Sequence, residues 1–273
     1  MDRLDAYVRY NCKVPGWLHW YSARIIVDLS HIQVNAGFEG AVGEIGVHMG
    51  RLFILLKLLA RPHEKAIAID VFEDQHLNVD QSGRGDRIAF LTNLERWAST
   101  RDVELIQRSS LEVSPEEIIA KVGKCRLISV DAGHTEECAF NDLNLAEAVA
   151  TDQGIILLDD FFHASWPGVC TGTVRYLFDD KTTMRPFAIS PNKVYLARQA
   201  FHHKYKSELR LSQENFFEKN SRMFGHEVMI FGNDPVTFHV THRTKKAIKK
   251  SAVGPYALRL KALLSQAADK MRQ

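Results

Sequence analysis

Five short apolar runs, each separated from the next by a helical stretch, constrain this chain more than any other feature. They are Ala41–Gly46, Ala66–Val71, Val103–Gln107, Arg126–Asp131 and Gly154–Asp159. Runs this short and this continuously apolar fit strands buried on both faces. Strands that alternate with helices fit a parallel sheet with helices on either side. The intervening helices are expected at about 50–60, 86–99, from Ser114-Pro115 onward, and at 136–150. Serine followed by proline is a natural helix start, because the hydroxyl caps and the proline needs no N–H. Two later apolar runs, Lys193–Ala197 and Val228–Phe231, bring the expected strand count to seven, with a polar helical stretch between them. Thr237–Val240 reads as one more strand or an extension.

The flanks have a different character. Residues 1–40 are rich in aromatics, and Trp17–Val34 repeats apolar groups at helical spacing, so two helices are expected as an N-terminal cap. Residues 41–243 form the expected α/β domain. Residues 244–273 hold a basic segment (Lys245, Lys246, Lys249, Lys250) and a final helix with Leu258, Leu260, Leu263, Leu264 and Met271. That helix could pack on the core or on a second copy as a homodimer; both stay open. With 25% charged residues and a net charge of +2, the chain carries no field that would favour nucleic acid. No apolar run nears the ~20 residues that span a bilayer, so no membrane partner is expected, and the start lacks the apolar stretch of a secretory signal. The four cysteines are scattered and form no Cys-x-x-Cys pair, which fits reduced thiols in the cytoplasm.

The chemistry is concentrated where strands end. The first strand closes as Glu44-Ile45-Gly46-Val47-His48-Met49-Gly50, and a helix follows at once. Glycines there let the backbone approach a ligand, and Asp70, at the end of the second strand, can accept bonds from ribose hydroxyls. A nucleoside cofactor is therefore expected. The spacing Glu-x-Gly-x-x-x-Gly is not the Gly-x-Gly-x-x-Gly that cradles a pyrophosphate, and His48 stands where a middle glycine is common. A cofactor without phosphate suits this turn better. On these residues the chain resembles the class I S-adenosylmethionine (SAM)-dependent methyltransferases. The resemblance implies an α/β, doubly wound, mostly parallel seven-stranded sheet of the Rossmann-like methyltransferase fold, with an antiparallel last strand. It also implies SAM as co-substrate, held by Glu44, Gly46, His48, Gly50 and Asp70, with Asp131 nearby and with Ser109 or Ser110 at the adenine.

Three acids, Asp131, Asp159 and Asp160, follow the fourth and fifth strands. Ligands of an open parallel sheet bind outside those carboxyl ends. Three carboxylates on one side suit Mg²⁺ or Mn²⁺. The arrangement resembles the metal-dependent O-methyltransferases that act on catechols and sugars, whose metal triad the three acids would match. His134 lies three residues beyond Asp131 and can take a proton from a hydroxyl at neutral pH; it could equally bind the metal or cap the next helix. His163, in the aromatic loop Phe161–Gly168, is a second candidate base, and that loop is an expected wall for a small-molecule acceptor. The expected function is methyl transfer from SAM to a small molecule at a hydroxyl, with divalent-metal assistance. The alternatives are an NAD-dependent oxidoreductase on a similar sheet and a non-catalytic nucleoside-binding relative.

Overall fold

The computed structural model describes residues 2–232, and the expected strand at 237–240, the basic segment and the final helix lie outside them. Nine strands form one sheet in the order β3-β2-β1-β4-β5-β7-β6-β9-β8. Its parallel half is built from β1 (Ala41–Ile45), β2 (Ala66–Asp70), β3 (Val103–Gln107), β4 (Cys125–Val130) and β5 (Ala150–Asp159). After β1 the chain builds outward through β2 and β3, then returns to place β4 on the other side of β1. The reversal leaves a crevice beyond the carboxyl ends of β1 and β4, where open α/β sheets bind ligands.

Helices cover both faces, as the apolar strands require. One face is packed by α1 (Arg3–Tyr10), α2 (Trp20–Asn35), α3 (Arg51–Leu59), α4 (Arg87–Trp97) and α8 (His202–Ser212), through residues such as Tyr7, Ile26, Leu29, Phe53, Phe90 and Leu209. The other is packed by α5 (Pro115–Val122), α6 (Glu136–Val149) and α7 (Pro167–Leu177), through Ile118, Leu143, Val149, Val169 and Tyr176. Local chemistry sets the helix starts. Ser114 accepts from the Glu117 amide at 3.2 Å, Thr135 from Cys138 at 3.2 Å, and Asp86 from Ala89 at 2.7 Å. Among the described residues no helix is long and apolar enough to cross a membrane.

Among the described residues the sheet has nine strands, not seven, and its far half is mixed. β7 (Lys193–Arg198) runs antiparallel to β5, and β6 (Met184–Ser190) forms a hairpin with β7. β9 (His226–Phe231) adds parallel to β6, and β8 (Phe217–Met223) closes the edge antiparallel to β9. β6 and β8 escape sequence reading for separate reasons. Pro186 interrupts β6, and the register shifts beside it. β8 reads Phe-Glu-Lys-Asn-Ser-Arg-Met, an exposed edge with polar residues that discourage further pairing.

Candidate active site

The turn after β1 is shaped by its neighbours. Gly46 has φ +88°, and a side chain on it would overlap the Asp131 carbonyl. Its amide donates to the Ile69 carbonyl at 2.8 Å, and the Asp131 amide donates to Ile45 at 2.8 Å. The turn is thus wedged between the ends of β2 and β4. Gly50, with φ +89°, begins α3, and a Cβ there would meet the Phe90 ring at 2.7 Å. His48 also has positive φ, +54°. A glycine would hold that conformation without strain; here the imidazole instead lies 5.5 Å from the Trp17 ring. Arg51, the next position after Gly50, donates to Asn11 at 2.9 Å and to the Gly16 carbonyl at 2.5 Å. Those bonds fasten the segment before α2 beside the turn.

Asp70 does more than its position suggested. Its Oδ2 accepts from the Val47 and His48 amides at 2.6 and 2.7 Å, and its Oδ1 accepts from Phe72 at 2.6 Å. The carboxylate anchors the glycine turn, and only the spare lone pair of Oδ1 remains for a ribose hydroxyl.

The acids beyond β4 and β5 divide into two groups. Asp159 is 4% exposed and bonded through both oxygens. Its Oδ1 accepts from the Asn192 side chain at 2.7 Å and the Asp160 amide at 3.1 Å, and its Oδ2 accepts from Lys193 Nζ at 2.6 Å. Asp160 accepts from Asn192 through Oδ1 at 2.8 Å and faces His134 Nε2 through Oδ2 at 3.1 Å. The three expected metal ligands therefore do not form one donor set. Asp131, His134 and Asp160 instead each offer one atom within 4.8 Å of the others. Asp159 is drawn away because the hairpin turn between β6 and β7 supplies it with two donors.

His134 is held on three sides. Its Nδ1 lies 2.8 Å from Asp80 Oδ2, its amide also donates to Asp80, and its ring stacks on Trp166 at 4.3 Å and 23°. Burial opposes its charge, but the carboxylates of Asp160 and Asp80 outweigh that and raise its pKa. Burial would raise both carboxyls, yet hydrogen bonds from Ser82 and His134 hold Asp80 low, and those from His134 and Asn192 hold Asp160 low. Glu44, 2% exposed, is pushed well above the usual carboxylate range by burial, against the pull of Lys193. Its Oε2 has no hydrogen-bond partner among the described residues. Asp131 is raised in the same way by burial and then by Asp159.

One cavity of about 450 Å³ joins these groups. Glu44, Gly46, His48 and Asp70 line one part, with Ser109 and Ser110; Asp131, His134, Asp159, Asp160 and His163 line another. Gly50 does not reach the lining and acts through the turn it closes. Ser109 Oγ lies 3.4 Å from the Leu111 amide, and His163 Nδ1 accepts from Ser165 at 3.3 Å. Asp80, Asn192 and Lys193 are site residues that sequence reading missed. Asp80-Gln81-Ser82 and Pro191-Asn192 carry turn signals, but nothing local shows that Asp80 reaches a histidine 54 positions away.

Residues 44–161 match the family model of a methyltransferase domain. No curated protein matches the chain. Among solved structures, the O-methyltransferase NovP is 16% identical with a TM-score of 0.55, covering 65% of this chain and 80% of its own. The O-methyltransferase TomG from Streptomyces achromogenes, involved in tomaymycin synthesis and solved with SAM, is 14% identical with a TM-score of 0.51, covering 72% and 89%. An O-methyltransferase from Bacillus cereus, solved with S-adenosylhomocysteine (SAH), is 14% identical with a TM-score of 0.51, covering 72% and 92%. The resemblance to the class I SAM-dependent methyltransferases is borne out in family model and in fold, and with it the expectation of an enzyme.

Proposed function

We propose that this protein moves the methyl group of SAM to a hydroxyl of a small molecule, with His134 as the base. The observation that carries this reading is a shared cavity: the glycine turn and the His134–Asp160 pair, with Asp80 behind the histidine, open into the same space. Its volume suits a cofactor and a small acceptor together.

SAM fits the residues present. Gly46 leaves room at the crossing of β1 and β4, and the buried, unpartnered Oε2 of Glu44 offers an acceptor for the methionyl ammonium. Asp70 fixes the turn and offers Oδ1 to the ribose, and Ser109 and Ser110 stand where the adenine would lie. The sulfonium methyl is already activated, so the protein's main task is to hold an acceptor oxygen in line with the S–CH₃ bond. The new bond forms between that oxygen and the methyl carbon. The S–C bond breaks toward sulfur, leaving neutral SAH, and the hydroxyl proton passes to the protein. Asp80 holds the proton on Nδ1 of His134, which leaves Nε2 as the basic atom. An entering hydroxyl would displace the contact between Nε2 and Asp160, and Asp160 would then face the imidazolium it stabilises. Trp166 fixes the ring plane, and with His163 and Trp17 it gives the cavity an aromatic wall that suits a sugar ring or a phenol.

The expected Mg²⁺ or Mn²⁺ would lower the hydroxyl's pKa. The three-aspartate set does not come together for it: both oxygens of Asp159 are already bonded, Oδ2 to the Lys193 ammonium, and the atoms that converge are those of Asp131, His134 and Asp160. An ion here would be left with Asp131, Asp160 and Nε2 of His134, which would remove that nitrogen from proton transfer. The segment before α2, tied down by Arg51, supports the reading of the N-terminal region as a cap over the cofactor. The free thiols of Cys125, Cys138 and Cys170 suit a reducing compartment, the cytoplasm.

Calorimetry with SAM, SAH and NAD⁺ tests the cofactor. SAM and SAH should bind and NAD⁺ should not; NAD⁺ binding without SAM binding would return the oxidoreductase alternative. Label transfer from methyl-labelled SAM to a panel of sugar and phenol hydroxyls tests the acceptor class, and transfer to amines alone would overturn the hydroxyl reading.

A further inference from the structure

Lys193 is 2% exposed and carries its ammonium group into the acid cluster. A buried lysine keeps its charge only if it is paired. It lies directly across the antiparallel β5–β7 pair from Asp159, so the register itself delivers Nζ to that carboxylate at 2.6 Å. The preceding residue completes a clasp. Asn192 turns the hairpin at φ +65°, accepts the Asp160 amide on its carbonyl at 3.2 Å, and donates from one side-chain nitrogen to both Asp159 and Asp160. Asp159 thus faces the Lys193 ammonium, and Asp160 faces the His134 imidazole.

We infer that Lys193 is a resident cation, set by strand register, whose ammonium occupies Asp159 and keeps that carboxylate from completing a divalent-metal site. It withdraws Asp159 from any metal and, through the hairpin it shares with Asn192, holds Asp160 against His134. Lys193 does not line the cavity, so it is a positioning residue rather than a catalytic one. A mobile ion must be captured and its site rebuilt; a lysine in a sheet is fixed when the sheet forms. The inference builds on the methyl-transfer reading, but the Lys193–Asp159 pairing is set by the sheet itself.

The test uses Mn²⁺ alone, titrated into the full chain and followed by electron paramagnetic resonance, with and without SAH. The wild type should leave Mn²⁺ free up to millimolar concentration. Lys193→Met, which removes the charge and keeps much of the volume, should free Asp159 and bind Mn²⁺ at least about tenfold more tightly. Lys193→Arg should behave as wild type. A purely structural lysine would give loss of stability and no gain of metal affinity. Micromolar Mn²⁺ binding by the wild type overturns the inference, and that arm decides alone if Lys193→Met does not fold. A folded Lys193→Met that gains no affinity overturns it too. SAH calorimetry on the wild type reports separately: failure to bind SAH would remove the methyl-transfer reading, while the Mn²⁺ titrations still decide the role of Lys193.

Discussion

Replacing Asp70 by alanine should cripple cofactor binding through the shape of the turn more than through the lost ribose contact. The carboxylate accepts three backbone N–H bonds, two of them from the turn that carries Val47 and His48. Hydrogen bonds to a charged group contribute about 1.5–3 kcal/mol each when fully buried. Asp70 is half-buried, and water can replace part of what is removed, so the expected destabilisation is about 2–4 kcal/mol in total. For a chain of this size that lowers Tm by roughly 5–15 °C. Freed of its anchor, the turn must be reordered on binding, and SAH affinity should fall by about 1–3 kcal/mol, roughly 5- to 150-fold. Asp70→Asn is the sharper variant. It keeps the size and one acceptor, but its NH₂ must face an N–H, either at the turn or at Phe72. If anchoring is the main role, asparagine should be nearly as damaging as alanine in both melting and calorimetry. Should Asp70→Ala bind SAH within twofold of wild type, with an unchanged Tm, the anchoring argument is refuted.

Gly46→Ala should give no SAH binding and a large loss of folded protein in a solubility and melting assay, because the added methyl overlaps the Asp131 carbonyl at positive φ. Arg126, buried within β4, donates to Glu64, Ser30, Gln33 and the Leu59 carbonyl; Arg126→Met should cost about 3 kcal/mol in urea unfolding, the low end for a broken buried pair because Arg61 still holds Glu64. Burial opposes ionisation of Glu64, but Arg126 and Arg61 bring its pKa from 4.5 to about 2, so its contribution of about 3 kcal/mol is present above pH ~4.5 and fades as pH falls towards 2; acid unfolding that stays equally steep in Arg126→Met would contradict this. In nuclear magnetic resonance titrations His134 should titrate above the ordinary histidine value, and Asp80→Asn should lower it. The stabilisation from charged His134 is present below its unfolded pKa and is lost as pH rises through the raised folded one. An unshifted His134 in Asp80→Asn would show that the two are not coupled.

The parallel half of the fold is legible in the chain because its signals are local. A short apolar run such as Ile155–Leu158 between helical stretches fits a strand buried on both faces, and Ser114-Pro115 supplies a helix start from its own residues. The same holds for the glycine turn: Gly46 and Gly50 are required by backbone geometry, Gly46 by the end of β4 and Gly50 by Phe90 of α4, both elements that the sequence marks locally. β6 and β8 were hidden because proline and polar edge residues speak against strands until a neighbouring strand pairs with them. Site chemistry divides in the same way. Glu44, Asp70, Asp131, His134, Asp159 and Asp160 could be picked out because an acid or histidine after an apolar strand falls at the open end of a sheet. Which of them face each other is set by contacts across many positions. Asp80 reaches His134 from a loop on another strand, and Lys193 reaches Asp159 through the register of β5 and β7. Spacing along a chain fixes where a carboxylate stands, whereas its partner, and so its charge and its use, is fixed only when strands distant in sequence lie side by side.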